Sequence, residues 1–298
     1  MRRRSLVALI AATALATGTA NPSARADSPG YLGSYLWVHP DARFGGLSAL
    51  ELSGDGRRVT ALTDRGMMIQ AEIRRDAKGQ IADIAASPLI PLGVPPTDQI
   101  PPFSYDTEGL ALAPDGSFFV STEMDTRVLQ FDRSGRMAVA LPAPRDFRAM
   151  GRNAGLEALA IDAEGALYTM PEVTNRQDGA YPVFRYRNGH WDRPFLIGGT
   201  PGFLPVGADF GPDGRLYLLE RQFRWLGGFA SRIRRIALQG PGIAADEVLL
   251  ETAPGAFGNL EGLSVWQDAA GALRLTLVAD DNFLFFLGTE VVEFTVPD

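Results

Sequence analysis

Acidic residues recur along this chain beside short apolar segments, and their type and spacing suit chemistry that uses oxygen ligands. Glu108, Glu157, Asp209 and Glu261 mark four such segments, separated by 49, 52 and 52 residues. Carboxylates are preferred ligands of calcium and magnesium, and carboxyls that lie close together have raised pKa values and can exchange protons near neutral pH. The pattern therefore indicates a cation site or an acid–base site.

The other residue types exclude several alternative chemistries. The chain has no cysteine and only two histidines, which argues against a cysteine nucleophile and against zinc sites built from thiolates or imidazoles. His39 and His190 are expected to have packing or surface roles, and the segment Gly262–Trp266 lacks the second glycine of a serine nucleophile elbow. The sequence also contains no phosphate-binding loop and no dinucleotide fingerprint.

The elements that position these acids form a repeat with a period near 50 residues, which is typical of a β-propeller blade built of four short strands. Each copy combines a strand, a glycine-containing turn and a second strand that ends in charged residues. The predicted fold is all-β, a propeller of four-stranded blades with five modules visible and a sixth left open. The copies are GLSALELSGDGRRVTALTDRG, DTEGLALAPDGSFFVSTE, NAGLEALAIDAEGALYTMPE, VGADFGPDGRLYLLER and GNLEGLSVWQDAAGALRLTLVADDN.

The turns predict which acids face each other across each hairpin. A two-residue turn at Asp115–Gly116 would place Glu108 directly opposite Glu123. Like charges in that position are unfavourable, so we expect water, a cation or a basic group between them. Because the first strand of a blade lies nearest the propeller axis, the acids should meet in a funnel on one face. Applied to three modules, the expected pairs are Glu108–Glu123, Glu157–Glu172 and Glu261–Asp280.

The fourth module departs from this acidic pattern. Alignment on its turn places Val206 at the position of Glu108, and its second strand ends in Glu220 and Arg221. We therefore expect this module to contribute positive charge to the funnel.

Residues 1–26 are predicted to be a secretory signal, with a basic start, an apolar run and a small-x-small cleavage site at Ala24–Ala26. This segment has four arginines and no acid, so the rest of the chain carries 24 basic and 35 acidic residues, a net charge of about −11. Such a charge argues against a nucleic-acid partner, and no later apolar run reaches the length of a transmembrane helix. We expect residues 27–298 to form one monomeric periplasmic or secreted domain.

The order of these motifs resembles the exported bacterial family described as having the esterase-like activity of phytase, also called phytase-like domain proteins. The resemblance covers about residues 40–296 and rests on DTEGLALAPDG with STE, NAGLEALAIDAEG with PE, GPDGRLYLLER, and NLEGLSV with ADDNF. It implies a β-propeller, an extracytoplasmic location and hydrolysis of phosphoesters or esters. The first module departs from the motif by having Gly45 or Gly46 in place of glutamate, and the third has Ala158 in place of glycine.

The first functional hypothesis is metal-assisted hydrolysis of a small phosphoester or ester, with calcium as the expected cation. The alternatives are a non-catalytic propeller that binds a cation, a sugar or an exported protein, and a calcium-dependent lactonase-like hydrolase. The candidate catalytic residues are Glu108, Glu157, Glu261, Arg65 and Arg221. The candidate metal ligands are Asp64, Glu123, Glu172, Glu220, Asp280, Asp281 and Asn282.

Overall fold

The computed structural model describes residues 22–94, 106–150, 155–174, 176–281 and 288–296. Within these ranges the regular structure consists of strands and two short helices, α1 (Pro22–Ala26) and α2 (Arg145–Ala149). Asn282, one of the candidate metal ligands, lies outside the described residues.

Four blades follow one another along the chain, and each is an antiparallel sheet whose strands neighbour each other in sequence order. Blade 1 contains β2 (Leu47–Leu52), β3 (Arg58–Thr63), β4 (Met67–Arg75) and β5 (Ile81–Ala86), with the short β6 (Ile90–Pro91) beside β4. Blade 2 contains β7 (Thr107–Leu112), β8 (Phe118–Thr122), β9 (Arg127–Phe131) and β10 (Ala138–Ala140). Blade 3 contains β11 (Leu156–Ile161), β12 (Leu167–Pro171), β13 (Tyr181–Arg187) and β14 (His190–Ile197). Blade 4 contains β15 (Leu204–Phe210), β16 (Leu216–Arg224), β17 (Gly228–Gln239) and β18 (Gly242–Glu251).

Blade 5 joins the two ends of the described chain. Its strands are β19 (Asn259–Gln267), β20 (Leu273–Asp280), β21 (Glu290–Thr295) and, as the outermost strand, β1 (Tyr31–Leu36). The first strands of the blades, β2, β7, β11, β15 and β19, contact one another in that order, and β19 contacts β2. The protein is therefore a five-bladed β-propeller, which confirms the predicted fold class with five rather than six blades in the described chain.

A β-bulge interrupts every innermost strand at the same position. In each blade the sum of paired residue numbers changes by one across the bulge; in blade 3, for example, Leu156 pairs with Pro171 but Ala158 pairs with Met170. A bulge re-aims the side chain of the extra residue. The five residues at this position, which we call the bulge ring, are Ser48, Glu108, Glu157, Val206 and Glu261.

A small residue follows each member of the bulge ring because the neighbouring first strand passes close by. A Cβ atom on Gly109 would lie 2.6 Å from Leu159 Cβ and 2.7 Å from the carbonyl oxygen of Glu157. Glycine avoids this overlap, and alanine occupies the equivalent position in blades 1 and 3, as Ala49 and Ala158. The alanine in the third module is thus an alternative solution to the same packing constraint.

The bulges make three sequence-based predictions wrong. Glu108 does not lie directly opposite Glu123, because Thr107 pairs with Thr122 and Glu108 occupies the bulge. The turn between β7 and β8 also contains one residue more than the predicted two. The amide of Ala113 donates to the carbonyl of Ser117, so the turn consists of the residues between these two. The same correction applies to the other expected pairs, Glu157–Glu172 and Glu261–Asp280.

The alignment of two modules also changes. Val206, not Asp209, is equivalent to the glutamates, as the turn alignment indicated, and Asp209 lies three residues further along its strand. In blade 1 the equivalent residue is Ser48 rather than Gly45 or Gly46. In the corrected alignment, Asp209 lies away from the bulge ring, towards the other end of the central channel.

Hydrophobic cores lie between neighbouring blades and fix the strands that carry the charged residues. Between blades 4 and 5, for example, Tyr217, Leu219, Leu263 and Leu277 are buried in one cluster. These aromatic and branched side chains alternate with the residues that face the channel. The first and second strands of each blade are therefore held firmly from both sides.

Candidate functional site

The candidate site lies where the first strands begin and the second strands end, which we call the funnel face. Two sets of residues meet there. One is the bulge ring, and the other consists of the residues that lie, across each first hairpin, opposite the position two residues before the bulge. We call the second set the strand-end ring, and it consists of Asp64, Glu123, Glu172, Arg221 and Asp280. Both rings are mostly acidic, and blade 4 alone replaces both of its acids, with Val206 and Arg221.

Blade 2 brings three carboxyls together. One carboxylate oxygen from each of Asp106, Glu108 and Glu123 lies within 4.8 Å of the others. Asp106 has a positive φ of 47°, a conformation that aspartate adopts more readily than most residues. The amide of Glu123 donates to the carbonyl of Asp106 at 2.9 Å, so the backbone holds the two acids beside each other.

Blade 3 extends this cluster. Oxygens of Glu123, Glu157 and Glu172 also lie within 4.8 Å of one another, so Glu123 belongs to both groups. Glu157 is only 6 % exposed, and its carboxyl forms no hydrogen bond with the other described residues. The like charges of Glu123 and Glu172 lie within 4.8 Å of this carboxyl, and such repulsion is unfavourable unless a cation or a proton relieves it, which makes Glu157 a strong local indication of an external ligand.

Blade 4 contributes the cation that balances the other side of the funnel. Arg221 donates to Glu172 Oε1 at 2.9 Å and to Asn259 Oδ1 at 2.8 Å, and it forms an ion pair with Glu261. The Asn259 side chain donates to Glu261 Oε1 at 2.8 Å. Glu261 is thus held in one orientation by two donors.

The proximity of these acids shifts their proton affinities. Burial, supported by the charges of Glu157 and Glu261, raises the pKa of Glu108 well above its usual range. Burial and the charges of Asp106 and Glu172 raise the pKa of Glu123 to about 8. Burial also raises the pKa of Glu157, where the charge of Glu172 adds to the effect and Arg221 opposes it.

The pKa of Arg221 responds in the opposite sense to its surroundings. Burial alone would lower it, but the charges of Glu261, Glu172 and Glu157 raise it above the usual range for arginine. Arg221 therefore remains charged and neutralises part of the funnel.

Blade 1 places Asp64 and Arg65 at the edge of the same cluster. Burial raises the pKa of Asp64 to about 7, Arg65 opposes the shift, and the charges of Asp106 and Glu261 add to it. The Asp64 Oδ1 atom is buried without a hydrogen-bond partner. A carboxyl with this pKa could take or give a proton near neutral pH.

The remaining predicted site residues have other surroundings. Asp281 accepts hydrogen bonds from the amide of Gly46 and from Thr289 Oγ1, both at 2.8 Å, and so links blade 5 to the start of blade 1. Asp280 ends β20 opposite Asn259.

Glu220 points away from the funnel. It is adjacent to Arg221, and successive strand residues face opposite sides of a sheet. Its carboxylate accepts a hydrogen bond from Arg234 at 2.9 Å and lies 3.7 Å from Arg232. The structure therefore does not bring Glu220 together with the carboxyls of the funnel.

Two residues of the site were not assigned by sequence reasoning. Asp106 stands two positions before Glu108, outside the strand, and the only sequence signal was its place at the start of the motif DTEG. Asn259 connects Arg221 to Glu261 in the structure, a role that the sequence did not indicate.

The donor set fits a hard divalent cation. Five carboxyls, from Asp106, Glu108, Glu123, Glu157 and Glu172, converge within the two overlapping groups, and among them Glu172 has a described ion pair, with Arg221. Calcium takes six to eight oxygen ligands, often from carboxylates that lie far apart in sequence, whereas zinc prefers nitrogen and sulfur. The unpartnered Glu157 and the mutual repulsion of these carboxyls are the observations that favour such an ion. Within the described ranges no helix has the length and apolar character needed to cross a membrane.

Solved structures of other propellers are similar to this chain in fold. A PQQ-bound aldose sugar dehydrogenase from Streptomyces coelicolor is 13 % identical and has a TM-score of 0.47, with 90 % of this chain and 99 % of that chain covered. The calcium-binding protein regucalcin from Agrobacterium tumefaciens is 14 % identical with a TM-score of 0.47, covering 83 % and 71 %. Virginiamycin B lyase from Staphylococcus aureus is 17 % identical with a TM-score of 0.43, covering 87 % and 72 %. Likeness at this level carries no argument about function.

No curated protein matches the sequence. The family model described as "Esterase-like activity of phytase" matches residues 42–283, a range that begins just before blade 1 and includes the described acids of both rings. The chain belongs to this phytase-like family.

Proposed function

We propose that this protein is an exported hydrolase that cleaves a small phosphoester or carboxylic ester at the funnel, with the help of a divalent cation, for which calcium is the expected ion. The observation that carries the proposal is the pair of overlapping carboxyl groups that share Glu123 and include the buried, unpartnered Glu157. Membership of the phytase-like family is consistent with ester or phosphoester chemistry.

The cation would be held on the side of the funnel formed by blades 2 and 3. Asp106, Glu108, Glu123, Glu157 and Glu172 offer oxygen atoms there. A bound divalent cation supplies Lewis acidity and lowers the pKa of a coordinated water molecule.

Arg221 would bind an anionic oxygen of the substrate. Its three described hydrogen bonds use three of the five N–H groups of a guanidinium, which leaves two for a phosphate or carboxylate oxygen. Arg65 is exposed at the opposite edge of the funnel, in blade 1, and would add positive charge for the same group.

Glu261 is the carboxyl that we assign to proton transfer. It lies outside both carboxyl groups of the cation side, and Asn259 and Arg221 fix its orientation. A general base must be held within hydrogen-bonding distance of the proton that it takes, and these contacts supply that constraint. Asp64, with its raised pKa, is the nearest alternative in blade 1.

The experiment separates cation binding from turnover. Calcium affinity would be measured by calorimetry, and hydrolysis would be measured against a panel of phosphomonoesters, carboxylic esters and lactones. Glu157→Gln should weaken calcium binding by about tenfold or more, whereas Glu261→Gln should preserve binding and lower turnover by about 100-fold. Glu164→Gln is the matched control, because Glu164 is exposed in the opposite turn of the same blade.

Two results would contradict the proposal. If the wild-type protein bound no divalent cation, the proposed metal-assisted mechanism would be wrong. Turnover that is unchanged in both Glu157→Gln and Glu261→Gln would place any hydrolytic activity elsewhere on the molecule.

A second candidate function is cation binding without catalysis. It is favoured by the contacts of Arg221, which donates hydrogen bonds to Glu172, Asn259 and Glu261 within the protein. These contacts give Arg221 a charge-balancing role that does not require a substrate. Calcium binding that depends on Glu157, with no turnover of any member of the panel, would support this function instead.

A further inference from the structure

The β16–β17 hairpin of blade 4 extends beyond the funnel face. In blades 1, 2 and 3 the second strand ends one residue before its member of the strand-end ring, and in blade 5 it ends at that member. In blade 4, β16 continues for three residues past Arg221 and pairs there with the start of β17, from Gln222 opposite Ala230 to Arg224 opposite Gly228. At a rise of about 3.3 Å per residue, the tip of this hairpin lies about 10 Å further along the strand than Arg221.

The tip of the hairpin presents two large apolar side chains to solvent. Trp225 is 62 % exposed and Leu226 is 87 % exposed. In the neighbouring blade 3, Val173 directly follows Glu172 and is 40 % exposed. Exposed apolar residues therefore follow both partners of the Arg221–Glu172 ion pair along the chain, and exposed apolar surface beside a polar site is typical of a ligand-binding region.

Contacts below the tip hold the hairpin in place. The rings of Phe223 and Phe229 pack against each other with their centroids 5.2 Å apart. The amide of Gly255 donates to the carbonyl of Phe229 at 2.8 Å, and a Cβ atom on Gly255 would lie only 2.6 Å from the carbonyl oxygen of Gly227. The hairpin thus rests on the connection between blades 4 and 5, and a surface that is already ordered loses less entropy when a ligand binds.

The charges of the funnel favour a substrate with few anionic groups. Of the ten residues that form the bulge ring and the strand-end ring, seven are acids and one, Arg221, is a cation. A divalent cation would offset part of this acidic excess, but a substrate with several phosphate groups would still face the remaining carboxyls. The funnel is therefore better suited to a substrate with one ester group that gains further binding energy from apolar contacts.

We propose that the substrate of the funnel is a carboxylic ester or phosphate monoester with a single extended apolar chain, which lies along the β16–β17 hairpin and contacts Trp225 and Leu226. This inference rests on the proposed function, because it assigns the substrate class of the same site. The ester group would lie near Arg221, and the chain would have to reach the tip of the hairpin. An extended octyl chain, built from carbon–carbon bonds of about 1.5 Å, is long enough to do so.

The first experiment measures hydrolysis of 4-nitrophenyl acetate and 4-nitrophenyl octanoate, the latter below the concentration at which it aggregates. We expect kcat/KM of the wild-type protein to be about tenfold or more higher for the octanoate, because each buried methylene group adds to binding. Trp225→Ser should reduce this ratio by about fivefold or more. Val248→Ser is the matched control and should leave the ratio unchanged, because Val248 is 55 % exposed on β18, the outermost strand of the same blade.

The second experiment needs no turnover. Calorimetry in the presence of calcium compares octylphosphonate with methylphosphonate, which carry the same anionic group and cannot be hydrolysed as esters. We expect the octyl compound to bind about tenfold or more tightly, and we expect this preference to fall in Trp225→Ser but not in Val248→Ser. Circular dichroism would verify that each variant is folded.

The outcomes separate this inference from the proposed function. A protein that hydrolyses no ester but shows a Trp225-dependent preference for octylphosphonate would contradict the proposed hydrolase and support the assigned ligand class. Turnover of both esters with equal kcat/KM, or a chain preference that survives in Trp225→Ser, would overturn the inference and leave the proposed function in place. Trp225-dependent binding to phosphatidylcholine vesicles without any chain preference would assign the hairpin to a membrane surface and would also overturn the inference.

Discussion

Arg221 is the residue on which the charge balance of the funnel depends. It replaces, in blade 4, the carboxyls that Glu123 and Glu172 supply in blades 2 and 3, and it contacts Glu172 and Glu261 directly. Without it, Glu172 and Glu261 would lose their described ion pairs and would face the other acids of the rings. The substitution of one ring position by arginine is what allows so many carboxyls to share a face.

Replacement of Arg221 by methionine should therefore destabilise the protein strongly. Removal of one partner from a largely buried ion pair leaves uncompensated charge and costs about 3 kcal/mol or more of the free energy of unfolding. Urea unfolding at pH 7 measures the loss, and calcium should restore part of it by neutralising Glu172.

The matched control is Arg235→Met on the outside of blade 4. Arg235 pairs with Glu247, which is half exposed, and such pairs contribute less than about 1 kcal/mol. Equal losses in the two variants would contradict a special role for Arg221 in the funnel.

At the residue scale, the types of the residues in the funnel could be predicted from the sequence more accurately than the contacts between them. The acids of three modules and the basic departure of the fourth were evident from spacing alone, and the turn alignment placed Val206 correctly. Asp106 was missed because its left-handed backbone, at φ 47°, is not encoded by any strand or turn pattern. Glu220 was selected together with Arg221 because sequence alone did not indicate which of two adjacent residues faces the channel.

At the scale of elements, the bulge in each first strand is the feature that brings the glutamates into the funnel. The number of strands in a blade, the approximate position of the turns and the order of blades follow from the repeat, and these were predicted, although the turn between β7 and β8 is one residue longer than predicted. The bulges were not, because a bulge leaves the hydrophobic alternation almost unchanged while shifting the register by one residue. The small residue that follows each glutamate is the sequence signature of the bulge, but from the sequence this residue was interpreted only as part of a motif.

Close approach of neighbouring first strands predicts that Gly109→Ala is destabilising. The new methyl group would lie 2.6 Å from Leu159 Cβ and 2.7 Å from a backbone carbonyl oxygen, and overpacking of this kind typically costs about 1–3 kcal/mol. Thermal unfolding measures the change. Gly198→Ala is the control, since a Cβ atom there meets nothing within 4 Å; similar effects at both positions would argue against strand proximity as the cause.

Helix α1 gives a prediction about the start of the folded domain. Arg25 forms an ion pair with Glu290 of blade 5, donates to the carbonyl of Ala256 at 2.7 Å and lies over the ring of Phe257. In a protein that begins at Pro22, Glu290→Gln should lower stability by about 2 kcal/mol, as expected for a charge-assisted hydrogen bond. In a protein that begins at Asp27, after the predicted cleavage site, the same substitution should have no such effect.

Comparison of the two starting points by thermal unfolding tests this directly. Mass spectrometry of the protein isolated from cells that produce it would establish which form occurs. An equal loss of stability in both forms would mean that Glu290 stabilises the domain through contacts other than Arg25.

At the scale of the whole molecule, the propeller concentrates buried carboxyls along its axis at two levels. The funnel holds one set, and Glu51 and Asp209 form a second set three residues further along the first strands. Burial raises the pKa of members of both sets, including Glu108 and Asp209. A ring of inward-facing strands thus creates a proton-binding channel from residues that are unremarkable in sequence.

This arrangement fixes the sign of the pH dependence of stability. Burial raises the pKa of Asp209 to about 7, and hydrogen bonds from the amides of Val265 and Phe210 partly oppose the shift. The unfolded chain loses this proton at lower pH, near 4. The stabilisation from Asp209 is therefore complete below about pH 4 and is lost as the pH rises to about 7.

Asp209→Asn should remove this dependence, since asparagine keeps the acceptor for Val265 and carries no charge. We expect the variant to equal the wild type near pH 4 and to exceed it at pH 8 by on the order of 3 kcal/mol, measured by urea unfolding across this range. Asp115→Asn is the control, because the exposed Asp115 accepts hydrogen bonds from Ser117 that lower its pKa, so its substitution should give no gain at pH 8. An Asp209→Asn variant that is less stable than the wild type at pH 8 would mean that the folded channel holds Asp209 as a carboxylate, with a cation beside it.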